Sequence, residues 1–382
     1  VEVLLLSRAD VAALLTIDDT IAAVERAFTM LGRGELPPPA IAGVHARGGA
    51  FHIKAAIAGD RFAAKINGNF FDAVPRIKGV IVLADATDGR PLAIMDSIEI
   101  TILRTGAATA VAAKYLARRD SKTALICGCG LQGRIQLRAL KRVLPIEKVF
   151  ALDADRTRAD AFARESGAEV VDRFVDADVV VTCTPSRSAI LHQVAAGTFV
   201  AAVGADSDDK QEIAPSLMAS SKVVTDVTEQ CATIGDLHHA IVAGAMSRGD
   251  IHAELGEVVA GRKPGRERDD ETIISIPRAW RCRTSPRRRS STTALSRPGA
   301  KLASISRDAA ATAIRRGAGR RGGGKVSRAS VVQSAAAQRR LHHDGVRRLG
   351  AAVGVQHAGG SGHPGDVERA RSRHRRGGNL HV

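Results

Sequence analysis

Aromatic residues are scarce in this chain: 3% of 382 residues, with one tryptophan, Trp280, and one tyrosine, Tyr115. Aromatics interleaved with basic residues form the stacking platforms of nucleic-acid binders, and that pattern is absent. Cysteines are also few. Cys127, Cys129, Cys183, Cys231 and Cys282 do not make a disulfide framework in a chain of this length. Cys127 and Cys129 form a C-x-C pair with no second pair at zinc spacing, so both read as small apolar residues beside a turn. No apolar run approaches the ~18 residues of a membrane span. Val3–Leu6 is too short for a secretory signal and is closed by Arg8 and Asp10, which makes the cytoplasm the expected compartment.

A general basic excess is missing too, despite a formal charge of +16. Residues 1–274 hold 32 Lys+Arg against 36 Asp+Glu, whereas residues 275–382 hold 24 against 4. The positive charge therefore belongs to the tail, and a whole-chain nucleic-acid binder is excluded; any binding by the tail would be non-specific and salt-dependent.

Two grammars divide the rest. Residues 1–118 read as an α+β region. Asp18 and Asp19 can cap a helix running to about Gly32, with Ile21, Val24, Phe28 and Leu31 on one face. Strand-like runs follow at His52–Ile57, Arg61–Ile66, Gly79–Ala84 and Pro91–Met95, the last two joined by the turn signal Thr87-Asp88-Gly89. An Ala-rich helix over about Ile102–Arg118 looks like a connector. Residues 119–274 alternate: strands at Thr123–Cys127, Lys148–Leu152, Val179–Thr182, Phe199–Val203 and Lys222–Thr225, and helices at Leu131–Val143, Arg156–Ser166 and Gly235–Ala245. That alternation implies an α/β fold with a Rossmann-type, doubly wound parallel sheet.

The strongest motif is Gly128-Cys129-Gly130-Leu131-Gln132-Gly133, a G-x-G-x-x-G between an apolar strand and a helix. Its glycines permit a tight turn, close approach of a pyrophosphate, and tight packing of helix on strand, while the helix N-terminus supplies N–H donors. Asp153 lies 25 residues after Gly128, at the end of the next strand. A carboxylate there accepts both ribose hydroxyls and favours NAD over NADP, although nearby Arg156 keeps NADP open. The adjacent pair His238-His239 reads as surface helix rather than a metal site.

Several stretches in order carry a resemblance: Phe62-Ala63-Ala64-Lys65 with Ile66-Asn67-Gly68, Val82-Leu83-Ala84-Asp85 with Asp88-Gly89, Leu103-Arg104-Thr105-Gly106-Ala107-Ala108, the Gly128–Gly133 loop, and Val203-Gly204-Ala205-Asp206 followed by Lys210. Over residues 1–274 the chain resembles the ornithine cyclodeaminase/mu-crystallin family. The resemblance implies an NAD-dependent enzyme and homodimer that takes an amino or imino acid and moves a hydride to or from a nicotinamide. An ornithine cyclodeaminase-like activity is the first expectation, with an alanine dehydrogenase or ketimine reductase as the alternative within the family, and a non-catalytic, crystallin-like NAD(P)-binding protein or an inactive frameshifted product as the alternative outside catalysis. The resemblance implies Lys65 and Arg104 as carboxylate-binding positions, Asp206 as the acid/base aspartate with Lys65 as the second catalytic residue, and Thr184 and Lys210 on the cofactor side. Lys and Arg are the residue types that a substrate carboxylate demands. Two departures stand out: no cation near Ile41, and Arg76 where Ser or Thr is usual.

After Ile274 the periodicity collapses into Arg-, Ser-, Ala- and Gly-rich sequence. A neighbouring reading frame of a possible coding sequence for Ser275–Arg289 gives FDSTGMALQDVAAAA, which looks like the family's last Rossmann strand and the helix after it. The expectation is a one-base deletion near Ile274, a truncated last strand, and a basic, disordered out-of-frame tail over residues 275–382 that leaves the chain poorly stable and weakly active.

Overall fold

The structure is a computed structural model that describes residues 2–276 apart from Pro38 and Phe71. The expected disorder from residue 277 onward, and the out-of-frame reading of that stretch, fall outside the described residues.

The chain opens with β1 (Leu4–Leu6), α1 (Arg8–Leu14) and α2 (Ile17–Gly32). Ser7 and Asp10 close a capping box on α1. The cap of α2 is Thr16, whose hydroxyl accepts the Asp19 N–H at 3.1 Å. Asp18 and Asp19, expected as caps, instead occupy the first turn, where their charge suits the helix dipole. Next come β2 (Ala40–Ala46), β3 (Gly49–Ala58), β4 (Arg61–Phe70), β5 (Ile77–Asp85) and β6 (Pro91–Asp96). They form one sheet in the order β1-β6-β5-β4-β3-β2, antiparallel except for the parallel β1–β6 edge. Strand alternation gives this sheet two unlike faces. One packs Leu6, Leu83, Ala93 and Met95 against Val11 and Ile100. The other leaves Leu5, Val44, Phe51, Ile66, Val80 and Ile94 exposed.

Helix α3 (Ile98–Leu116) starts four residues before the expected Ile102. It is a core element more than a connector: Ala107, Ala110, Val111, Ala112, Ala113 and Leu116 have no exposure at all. Small residues let its neighbours come close, and a Cβ on Gly106 would stand 3.0 Å from the Ile135 backbone oxygen.

The chain continues through β7 (Thr123–Cys127), α4 (Leu131–Leu140), β8 (Lys148–Leu152), α5 (Arg156–Ser166), β9 (Glu169–Val170), β10 (Val179–Thr182), β11 (Arg187–Leu191), β12 (Phe199–Ala202), β13 (Gln211–Ile213), α6 (Pro215–Ala219), β14 (Lys222–Thr225), α7 (Thr228–Cys231), α8 (Gly235–Val242), β15 (Ala253–Glu254), α9 (Leu255–Val259) and β16 (Ile273–Ile276). Strands β11 and β13 pair with each other in a small parallel sheet, and the other eight of these strands form the second large sheet. Its order is β15-β14-β16-β12-β10-β7-β8-β9, with every pair parallel. Ile126, Val181, Ala201 and Ile273 pack on Leu116, Leu140 and Phe162 on one side. Leu125, Val180, Val200 and Ile274 pack on Met218 and Leu237 on the other. A sheet covered on both faces is the expected doubly wound arrangement. The chain runs from β7 outward to β8 and β9, then crosses back to β10. The switch point between β7 and β10 is where open α/β sheets hold ligands.

The last strand extends beyond the expected break. Strand β16 pairs with β12 and β14 and continues through Ser275 and a fully buried Ile276. Ile276 is apolar and β-branched, so the strand pattern survives two residues past Ile274.

Candidate active site

The three glycines of the loop after β7 have different surroundings. Gly128 has φ +102, and a Cβ there would lie 2.7 Å from the Cys183 backbone oxygen. On Gly133 a Cβ would lie 2.2 Å from the Gly128 oxygen, so helix and turn pack directly on each other. Gly130, the N-cap of α4, has no protein atom within 4 Å of its Cβ position and makes no side-chain cap bond. Packing therefore accounts for Gly128 and Gly133, while Gly130 fronts open space beside free helix N–H donors. Leu131 is exposed, and the buried Gln132 Oε1 has no hydrogen-bond partner among the described residues. A dinucleotide pyrophosphate fits this cradle.

Asp153 immediately follows β8. Its Oδ2 accepts the Cys129 N–H at 2.8 Å, and its Oδ1 accepts the Asp155 N–H at 2.9 Å. The cation that pairs with it is Arg158, at 3.6 Å. Arg156 is committed to Asp160 one helical turn on. Burial pushes the Cys129 thiol up to about 12 and Cys183 well above its ordinary value, which keeps both neutral. Among the described residues no group of three His, Cys, Asp or Glu is placed to hold a metal. His238 and His239 are half-buried on α8 and not fully on its surface.

At the carboxyl ends of β10 and β12 the loops that carry Thr184 and Gly204 meet at a buried acid. Thr184 donates its N–H and its hydroxyl to Glu212 Oε1, at 2.6 and 2.7 Å. The Gly204 N–H donates to Glu212 Oε2 at 2.8 Å. Asp236 Oδ1 accepts the N–H groups of Glu212 and Ile213, at 2.7 and 2.9 Å. Burial and the nearby Asp236 push Glu212 up to about 7, against the pull of its Thr184 donors. Lys210 donates to Asp206 Oδ1 at 2.8 Å, so its ammonium compensates the charge of the expected acid/base residue.

Lys65 lies on β4, on the face of the sheet that packs against the helices: Asn67, two residues on, accepts the Ser97 hydroxyl at the start of α3 at 2.7 Å. Arg104 lies on that same helix. Burial lowers its guanidinium to about 10 while Asp226 and Asp206 oppose the shift, so it stays charged at neutral pH. The pair Asp226 and Asp206 places Arg104 electrostatically at the carboxyl edge of the second sheet. Strand register also puts Ile41 opposite Lys54 and Lys54 opposite Lys65. The row that lacks a cation at Ile41 thus has one on the adjacent strand. Arg76, the other departure, donates to Asn69 Oδ1 at 2.9 Å.

The model of the ornithine cyclodeaminase/mu-crystallin family matches residues 1–275. The chain belongs to that family. It is 35% identical over 287 residues to an alanine dehydrogenase of Archaeoglobus fulgidus, covering 72% of this chain and 89% of that one. Among solved structures it is similar to an archaeal alanine dehydrogenase dimer with bound NAD, at TM-score 0.69 and 34% identity over 72% of this chain and 90% of the other. It is also similar to the Thermococcus litoralis Δ1-pyrroline-2-carboxylate reductase in complex with NADH and L-proline, at TM-score 0.66 and 33% identity over 72% and 92%. These likenesses agree with the family resemblance and with a Rossmann-like parallel sheet.

Sequence reasoning missed three residues. Asp226 directly follows β14, and the strand-end rule that singled out Asp153 and Asp206 applies to it equally. Lys54 needed the strand register before it could be placed beside Lys65. Glu212 left only a faint mark, one charge in a three-residue strand.

Proposed function

We propose that this chain is an NAD-dependent enzyme that moves a hydride between the Cα of an amino or imino acid and a nicotinamide. The observation that carries this reading is the open side of Gly130, where a Cβ would meet no protein atom within 4 Å at the N-terminus of α4. Residues 119–274 would hold the cofactor through Gly128, Gly130, Leu131, Gln132 and Gly133, with Asp153 at the ribose. Residues 1–118 supply the substrate side. NAD, when bound, accepts or returns the hydride. Lys65 and Arg104 hold the substrate carboxylate, fixing Cα toward the sheet's carboxyl edge. Asp206 takes the proton from the substrate amine on oxidation and returns it on reduction, with Lys210 balancing its charge. Thr184 orients the cofactor side through the loop it anchors.

Relatives that are alanine dehydrogenases and imino-acid reductases support net oxidation or reduction, while likenesses to cyclodeaminases support the redox-neutral alternative, so the product balance decides between them. A homodimer is supported by the exposed apolar sheet face, a surface suited to sheet-on-sheet packing. No described helix is long and apolar enough to cross a membrane. Free thiols at Cys127, Cys129, Cys183 and Cys231 fit a reducing compartment such as the cytoplasm.

The test offers L-alanine and L-ornithine with NAD⁺ and follows NADH and ammonia together. A dehydrogenase releases both in equal amounts, whereas a cyclodeaminase releases ammonia without net NADH. Asp206→Asn should lower kcat by about 100-fold or more with NADH affinity nearly unchanged, the range for losing a general acid/base. Wild-type turnover surviving in that variant would refute the assigned role.

A further inference from the structure

The buried acid beneath the site belongs to none of the roles assigned above. Glu212 has no exposed surface, yet three of its carboxylate bonds reach loops at the carboxyl edge of the sheet. One oxygen takes both donors of Thr184, which follows β10; the other takes the N–H of Gly204, which follows β12. The strands themselves do not need this bond, because Val203 and Gly204 already donate to the Thr182 carbonyl at 2.8 and 3.1 Å. Close approach is built in at Gly204: a Cβ there would lie 2.6 Å from Glu212 Oε2 and 2.4 Å from the Thr184 oxygen. From below, Asp236 at the start of α8 fixes the Glu212 and Ile213 N–H groups. Two residues before Glu212, Lys210 reaches Asp206 itself. The short segment 210–213 thus grips Asp206 directly and grips its backbone through Gly204.

We propose that Glu212 is the positioning residue of the site, fastening the loop after β10 to the loop after β12 so that Asp206 is held against the substrate nitrogen. This rests on the reading of Asp206 as the acid/base group. Leaving a carboxylate out of water is costly unless every lone pair finds a donor, and these donors come from the two loops that the chemistry needs held.

Glu212→Gln tests it in the full-length chain. Glutamine keeps the volume but has one acceptor oxygen, so one loop loses its bond and faces an NH₂ group. Amide exchange at Thr184 or Gly204 should rise about tenfold or more. With L-alanine and NAD⁺, kcat should fall about 100-fold, the effect of an ångström-scale misplacement, while KM for NAD⁺ and the Kd for NADH change less than about threefold. Gly204→Ala enters the same contact from the opposite side and should give the same split between kcat and KM; it serves if Glu212→Gln does not fold. Unchanged exchange at both amides overturns the clamp, and faster exchange with full kcat overturns its positioning role. A wild-type chain that neither binds NADH nor oxidises any amino acid overturns the functional reading and the positioning role together, while the exchange rates still report whether the loops are fastened.

Discussion

The same substitution at two glycines three residues apart should separate packing from ligand binding. In Gly133→Ala the new methyl would stand 2.2 Å from the Gly128 oxygen, a backbone atom, and 3.1 Å from Cγ2 of the fully buried Ile126. Overpacking of this kind costs roughly 1–3 kcal/mol. For a chain of this size that is a Tm drop of about 2–4 °C per kcal/mol. In Gly130→Ala the methyl meets nothing within 4 Å, and the backbone, at φ −77 and ψ −160, suits any residue. The stability cost should be below ~1 kcal/mol, the scale of an N-cap change. Its methyl does fill the space assigned to the pyrophosphate, so NADH affinity should fall at least about tenfold, or ~1.4 kcal/mol. Thermal melts and NADH fluorescence titrations on both variants read the two effects separately. A Gly130→Ala protein that binds NADH as wild type does would refute the cradle. A Gly133→Ala protein with an unchanged melt would refute the packing argument.

Asp153→Ser should narrow the preference for NAD over NADP by about tenfold, since it removes the carboxylate that disfavours a 2′-phosphate and leaves Arg158 in place; because Asp153 also holds the Cys129 N–H, the ratio of affinities is the quantity to read, and an unchanged ratio counts against the assignment. Replacing the cross-strand neighbours Ile66 and Val80 by Asp puts two charges on the exposed apolar face and should yield a monomer by sedimentation, whereas a dimer that persists shows that another surface pairs the subunits.

The parallel sheet was legible because its signals are local. Apolar strands ending in Gly128, Asp153 and Asp206 are separated by helical segments, and the structure places all three residues at the sheet's carboxyl edge or just beyond it. The first region was harder. Strand β1 is three leucines, too short to show a period, and β2 carries Ala and Gly with little strand preference of their own. Both exist because a neighbouring strand supplies the ladder. The cap of α2 was read two residues late because acidic first-turn residues resemble caps until the Thr16 hydroxyl is seen taking the N–H of Asp19. Arg156 and Arg158 lie on one helix within two residues, and only their partners show which one reaches Asp153. Lys54 and Glu212 were invisible for a deeper reason: each gains its meaning from a residue distant in sequence.

The sheet is fastened by a carboxylate at each end, and the two should fail differently. Asp178 sits at the amino end, between β7 and β10. Its Oδ2 accepts the N–H groups of Lys122 and Thr123 and the Thr123 hydroxyl, at 2.8, 2.9 and 2.8 Å, and its Oδ1 pairs with Arg118. Burial pushes its carboxyl up, but the Thr123 and Lys122 donors and then Arg118 outweigh it, and the pKa is held below the ordinary 3.8. A depressed carboxyl pKa contributes stability that is present above the unfolded value and is lost as pH falls through the folded one. Asp178→Asn puts an NH₂ group against Arg118 or against two backbone N–H groups, which should cost about 3 kcal/mol. The variant should melt earlier at neutral pH and should lose less stability than wild type on acidification. No ligand site of an open α/β sheet lies at the amino end, so its kcat and NADH affinity per folded molecule should match wild type. Glu212→Gln should show the reverse emphasis, with activity lost well before stability. A fall in kcat for Asp178→Asn at temperatures where the protein is fully folded would refute this division between the two ends.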